Sequence, residues 1–195
     1  MTDEAALRRT VLIVALLNLA YFGVEFGVAL TIGSVSLIAD SVDFLEDTSV
    51  NLLIFFALAW APLVRARVGM ALAAILLIPA LAFVWSLWSK FGTPVPPQAV
   101  PLSVTGLGAL AVNLTCAFLL ARFRSHGGSL VRAAFLSARN DAIANVAIIA
   151  AGLVTAFVWT SIWPDIIVGV AIAIMNIDAA REVWEAAREE HRPTP

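Results

Sequence analysis

The sequence predicts an all-α membrane protein with six transmembrane helices, and three observations carry that expectation. First, 61% of the residues are hydrophobic and only 13% charged, at a mean hydropathy of +0.93. Soluble domains run near 45–50% apolar and about 25% charged, so a water-soluble fold of this size has no way to hide so much apolar surface. Second, six apolar stretches near 10–30, 35–61, 67–90, 100–122, 130–158 and 162–186 each approach or exceed the roughly 20 residues a spanning helix needs. Third, the cations are one-sided. Arg8 and Arg9, Arg65 and Arg67, Arg122, Arg124 and Arg132, and Arg181, Arg188 and Arg192 all fall on one face if there are six spans, against Lys90 alone on the other. Cationic loops stay in the cytoplasm, so both termini are expected there, in a bacterial plasma (inner) membrane.

The breaks between spans fall at Thr31–Ser34, Pro62–Arg67, Gly92–Pro101, Arg122–Gly128 and Thr160–Pro164. Span 1 follows a basic Arg8-Arg9 flank. It is too long for a signal-peptide core and carries Asn18, Tyr21 and Glu25, so it is expected to be retained. Pro79 is expected to kink span 3. Trp85, Trp88, Trp159, Trp163 and Trp184 sit near span ends, where amphipathic rings anchor at the interface. Asp165, in Trp163-Pro164-Asp165, reads as part of a cap at the start of span 6. The residues 1–195 are expected to form one transmembrane domain, with no remaining stretch long enough for a soluble one. The net charge of −2 offers no field for nucleic acid. The single Cys116 has no intrachain disulfide partner.

Ionisable groups inside a bilayer are costly and functional by default, and here they follow helical periodicity. On span 2, Asp40, Asp43 and Asp47 stand at i, i+3 and i+7, with Asp43 and Asp47 one turn apart, near enough to share a cation. On span 5, Ser137, Asp141 and Asn145 stand at i, i+4 and i+8, with Asn140 beside them. Span 1 contributes Asn18, Tyr21 and Glu25, and span 4 contributes Asn113 and Cys116. Spans 3 and 6 lack such mid-span stripes. Helices 1, 2, 4 and 5 are therefore expected to enclose a central polar site, with 3 and 6 peripheral. At ~1.5 Å per residue, Asp43 and Asp141 fall at similar depth.

Several carboxylates at one depth repel each other unless protons or a cation compensate. A divalent cation displaces those protons on binding, and that exchange is the physical core of metal/proton antiport. Carboxylate, amide and hydroxyl oxygens suit Mg²⁺, Ca²⁺ or Mn²⁺, and Zn²⁺ less ideally. Asp40 reads equally as a relay toward the outer face or as a partner in an ion pair. Arg139 is expected to pair with Glu46 or Asp40. Glu25, Asn113 and Asn145 are candidates for a path or proton relay. His126 and His191 lie outside the spans and read as solvated loop or tail residues.

The run Gly33 to Asp47, the run Ala133 to Asn145, the run Ile162 to Ala173 and Asn113 resemble, in order, conserved segments of the cation diffusion facilitators. The resemblance implies six helices, cytoplasmic termini and proton-driven export of divalent metals, with zinc first and cadmium, cobalt or manganese as alternatives. It implies a site of two residues four apart on helix 2, here Asp43 and Asp47, and two four apart on helix 5, here Ser137 and Asp141. It also implies a homodimer, for which the small residues Gly69, Ala71, Ala73 and Ala74 of span 3 offer a close-packing face. Two features depart from the family pattern. Ser137 stands where His or Asp is usual, so Asn140, Asn145 or water is expected to complete the shell. The other departure is that no ferredoxin-like domain is expected after helix 6. No resident cofactor and no catalysis are expected, since the sequence has no His-Glu-x-x-His motif or nucleophile with its base. The reading from another class is a membrane scaffold with a vestigial metal site.

Overall fold

The structure is a computed structural model and describes residues 3–57, 81–125 and 128–175. It is all-helical: α1 (Asp3–Ile32), α2 (Val35–Ala57), α3 (81–92), α4 (Ala99–Ala121), α5 (Gly128–Phe157) and α6 (Trp163–Met175), with no strand among the described residues. Residues 58–80, with Pro79 and the small-residue face at Gly69 to Ala74, lie outside the described residues, as do His126 and 176–195.

Three stretches, Ala5–Ile32, Ala99–Ala121 and Ala134–Phe157, are long and apolar enough to cross a membrane. α2 has 23 residues, but Asp40, Asp43, Glu46 and Asp47 keep it from the same apolar standard. The distribution of side chains is that of a protein in lipid. Asn18, Glu25, Asp40 and Asn145 are fully buried, while Phe118 is 81% and Phe157 83% exposed. Apolar surface turned outward on this scale marks contact with a membrane or a partner. Trp85, Trp88, Trp159 and Trp163 are also exposed, as anchoring rings would be.

α1 packs on α2 and α4, and α5 packs on α4 and α2, so these four helices close a ring of contacts. Two apolar clusters plug it. One holds Val11, Val14, Ile54, Cys116, Leu120 and Val131. The other holds Ala29, Leu37, Leu102, Ile148 and Ile172. Along the chain, Asn18 and Glu25, Asp43 and Asp47, Asn113, and Asp141 fall between these two sets of positions.

The α1–α2 junction is built for a sharp reversal. Gly33 adopts φ +62°, which a side chain disfavours, and Ser34 N donates to Ala29 O at 3.0 Å. This is the 6→1 bond of a Schellman ending. The first turn of α2 then leaves orphan amides that need acceptors. Ser34 serves its own helix, its hydroxyl accepting from Leu37 N at 3.2 Å and its carbonyl from Ile38 N at 3.3 Å. The rest are met from α6. Asp165 accepts from Val35 N at 2.7 Å, Ser36 N at 3.1 Å, and the hydroxyls of Ser34 and Ser36 at 2.6 Å each. The expectation that Asp165 caps its own helix is corrected: it is the third residue of α6, and its carboxylate caps α2. Gly169, one turn further along α6, allows this approach, since a Cβ there would meet Ser36 N and the Val35 backbone at 2.9 Å.

Asp165→Ala is therefore expected to strand the Val35 and Ser36 amides and destabilise the protein by about 2–3 kcal/mol. Thermal unfolding in detergent reads this as a lowered midpoint; a midpoint equal to wild type would contradict the cap.

Candidate functional site

The stripes read from the sequence become specific contacts across the ring. Between α2 and α5, Ser137 Oγ donates to Asp47 Oδ1 at 3.0 Å and lies 3.5 Å from Asp141 Oδ2. The two carboxylates thus stand within about two hydrogen-bond lengths of each other. Asp47 is almost fully buried. Asp43, 8% exposed, makes no hydrogen bond among the described residues but lies within electrostatic reach of Asp141, Asp40, Glu46 and Asp47. Helical spacing explains the arrangement: 43 and 47 share a face of α2, and 137 and 141 share a face of α5.

One turn from Asp43 and two from Asp47, toward the start of α2, lies a second polar junction. Asn145 Nδ2 donates to Asp40 Oδ2, and Asn113 Nδ2 donates to Asn145 Oδ1 at 3.1 Å. This chain ties α4 to α5 and α5 to α2. Glu25 of α1 is fully buried and within hydrogen-bond reach of Asp40. Tyr21 closes the remaining side, its hydroxyl donating to Thr105 O of α4 at 2.6 Å and its ring packed 5.1 Å from that of Phe44. Asn18 accepts a long contact from Cys116 Sγ at 3.9 Å.

One expectation meets a different geometry. Arg139 pairs with neither Glu46 nor Asp40; it is exposed and donates to Asn140 Oδ1 at 3.2 Å. The reason is angular, since Arg139 stands two residues from both Ser137 and Asp141, about 200° around the helix. Asn140 is exposed as well, with its oxygen engaged by Arg139. Among the described residues, no three His, Cys, Asp or Glu side chains are drawn together closely enough to hold a metal ion. Asn51 is the residue that sequence reasoning passed over. It is fully buried, donates to Asp47 O at 2.8 Å and leaves its Oδ1 without a donor. Its signal was available, because it continues the Asp43–Asp47 stripe by one more turn.

Fold and buried polar seams together define an integral α-helical membrane protein with acidic groups held inside the bundle. A family model for the cation efflux transmembrane domain matches residues 11–189. The chain belongs to the cation efflux family, the cation diffusion facilitators, a family of metal-cation transporters rather than enzymes. Among curated proteins, none matches the chain.

Asn145→Leu would strip Asp40 of its donor and Asn113 of its acceptor. It is expected to cost about 1–3 kcal/mol, read as a lower unfolding midpoint, whereas the surface change Asn140→Ala should leave the midpoint within about 0.5 kcal/mol.

Proposed function

We propose that the protein exports divalent metal cations, zinc first and cadmium, cobalt or manganese as alternatives, in exchange for protons. The observation that carries this reading is the Ser137 hydroxyl lying between Asp47 of α2 and Asp141 of α5. A buried carboxylate and a half-buried one separated by one small neutral group make an expensive structural link and a good cation site. The cargo is bound by Asp43, Asp47 and Asp141, with the Ser137 oxygen and water completing the shell. Asn140 turns outward and contributes least.

The cycle follows from charge. A dication entering from the cytoplasm draws the three carboxylates inward and displaces their protons. The closed bundle then rocks to face outward. External protons return to the carboxylates, weaken the site and reset the carrier. The cation bias of the loops supports cytoplasmic termini, and the chain acts as a homodimer. A second reading, a membrane scaffold with a vestigial site, is favoured by the absence among the described residues of a preassembled cluster of three ligands. Metal titration separates the two, because a vestigial site shows no competition between protons and cations.

Zinc, cadmium, cobalt and manganese flux into inside-out vesicles should fall to background in Asp47→Ala; undiminished flux of all four would defeat the assignment. Binding requires the ionised carboxylates, so affinity should fall as pH falls, about tenfold per pH unit for each proton displaced; an affinity flat with pH would remove the antiport. Ser137→His replaces a poor zinc ligand with a good one. It is expected to tighten zinc relative to manganese by about tenfold or more in equilibrium binding, a gain of roughly 1.4 kcal/mol.

A further inference from the structure

Glu25 and Asp40 are both fully buried, and their carboxyl groups are within hydrogen-bond reach of each other across the α1–α2 contact. Among the described residues, no donor meets either oxygen of Glu25 or the Oδ1 of Asp40. Buried acceptors without donors are rare and costly. The other oxygen of Asp40 is accounted for, because Asn145 donates to it. Asn113 fixes that amide: its own N–H₂ points at Asn145 Oδ1, so Asn145 Nδ2 must face Asp40. Glu25 and Asp40 thus bring three donor-less oxygens into one buried contact, and a shared proton is the donor that contact lacks. Two ionised carboxylates do not share such a space, whereas one proton makes each the other's partner.

We propose that Glu25 and Asp40 form a proton-binding site of their own, holding one shared proton and surrendering it when a dication occupies the carboxylates further along α2. The site is distinct from the Asp47–Ser137–Asp141 junction. It is bounded by α1 and α2, and Asp40 stands one turn from Asp43 and two from Asp47. Titratable groups facing it are Tyr21 on α1, Asp43 on α2 and Asp141 on α5. The α4 residues bonded to Tyr21 and Asn145, Thr105 and Asn113, are uncharged. In the empty carrier the charged neighbours of the pair, Asp43 and Asp141, are themselves carboxylates. A dication one or two turns away reverses that field, so the O–H bond of the pair breaks and water accepts the proton. The coupling part of this inference rests on the efflux reading; the shared proton does not.

The test has two arms on the purified full-length chain. Zn²⁺ titration by calorimetry in buffers of different protonation enthalpy counts protons released per cation. Glu25→Gln keeps the shape and lets an amide donate to Asp40, leaving no proton to surrender. It is expected to bind Zn²⁺ and release about one proton fewer than wild type; an unchanged count overturns the coupling. The metal-free arm is infrared difference spectroscopy in H₂O and D₂O. Wild type should show a buried carboxylic-acid carbonyl band that Glu25→Gln and Asp40→Asn both remove, and its persistence in both variants overturns the shared proton itself. Zn²⁺ binding unaffected by Asp47→Ala would instead sink the efflux reading while leaving the infrared result standing.

Discussion

Acidic side chains in the middle of a membrane helix are tolerable only if a neighbouring helix supplies what water would have supplied, and that constraint organises the bundle. α2 carries Asp40, Asp43, Glu46 and Asp47 within eight positions. α5 answers with Asn145 on Asp40 and Ser137 on Asp47. Loss of either donor would leave a buried acceptor facing hydrocarbon, at a cost of several kcal/mol. The α2–α5 contact is therefore specified by polar pairing in register. Apolar packing alone specifies little where the surroundings are as apolar as the core.

The same logic extends around the ring. Asn113 orients Asn145 from α4, and Tyr21 holds α1 to the Thr105 carbonyl of α4. Each of the four helix contacts carries at least one polar link, while large apolar side chains such as Leu16, Phe118 and Ile143 point outward. The clusters around Leu120 and around Leu102 then serve as plugs. They surround the acidic groups with apolar side chains and lower the local dielectric there.

Much of this was legible because helical periodicity is a strong constraint. The spacing of Asp43, Asp47, Ser137, Asp141 and Asn145 placed each on a usable face, and the Thr31–Ser34 break coincides with the Gly33 turn. What spacing does not contain is the partner. Asp165 looks like a local cap in the sequence, yet its acceptors serve amides some 130 positions earlier, at Val35 and Ser36. Nothing local distinguishes a carboxylate that caps its own helix from one that caps a neighbour's; only the close approach that Gly169 permits decides it. Arg139 shows the opposite failure. Counting its charge suggested an ion pair, while counting its angle from Ser137 and Asp141 already places it on the far face.

α2 is thus held at two places by bonds of different character. At its start, Asp165 offers one buried carboxylate to four donors, and none of those donors is a candidate cargo ligand. In its middle, the link to α5 at Asp47 rests on one hydroxyl proton placed between two carboxylates. On the efflux reading, a dication arriving there does better than that proton for both acids at once, so it replaces the contact rather than adding to it. None of the cap's four bonds competes with the cation for an acceptor. On that reading the seam that would change with cargo is the α2–α5 one, with the α2 start pinned by α6, and the energy for the change would come from the cation's preference for carboxylate oxygen over a single serine donor.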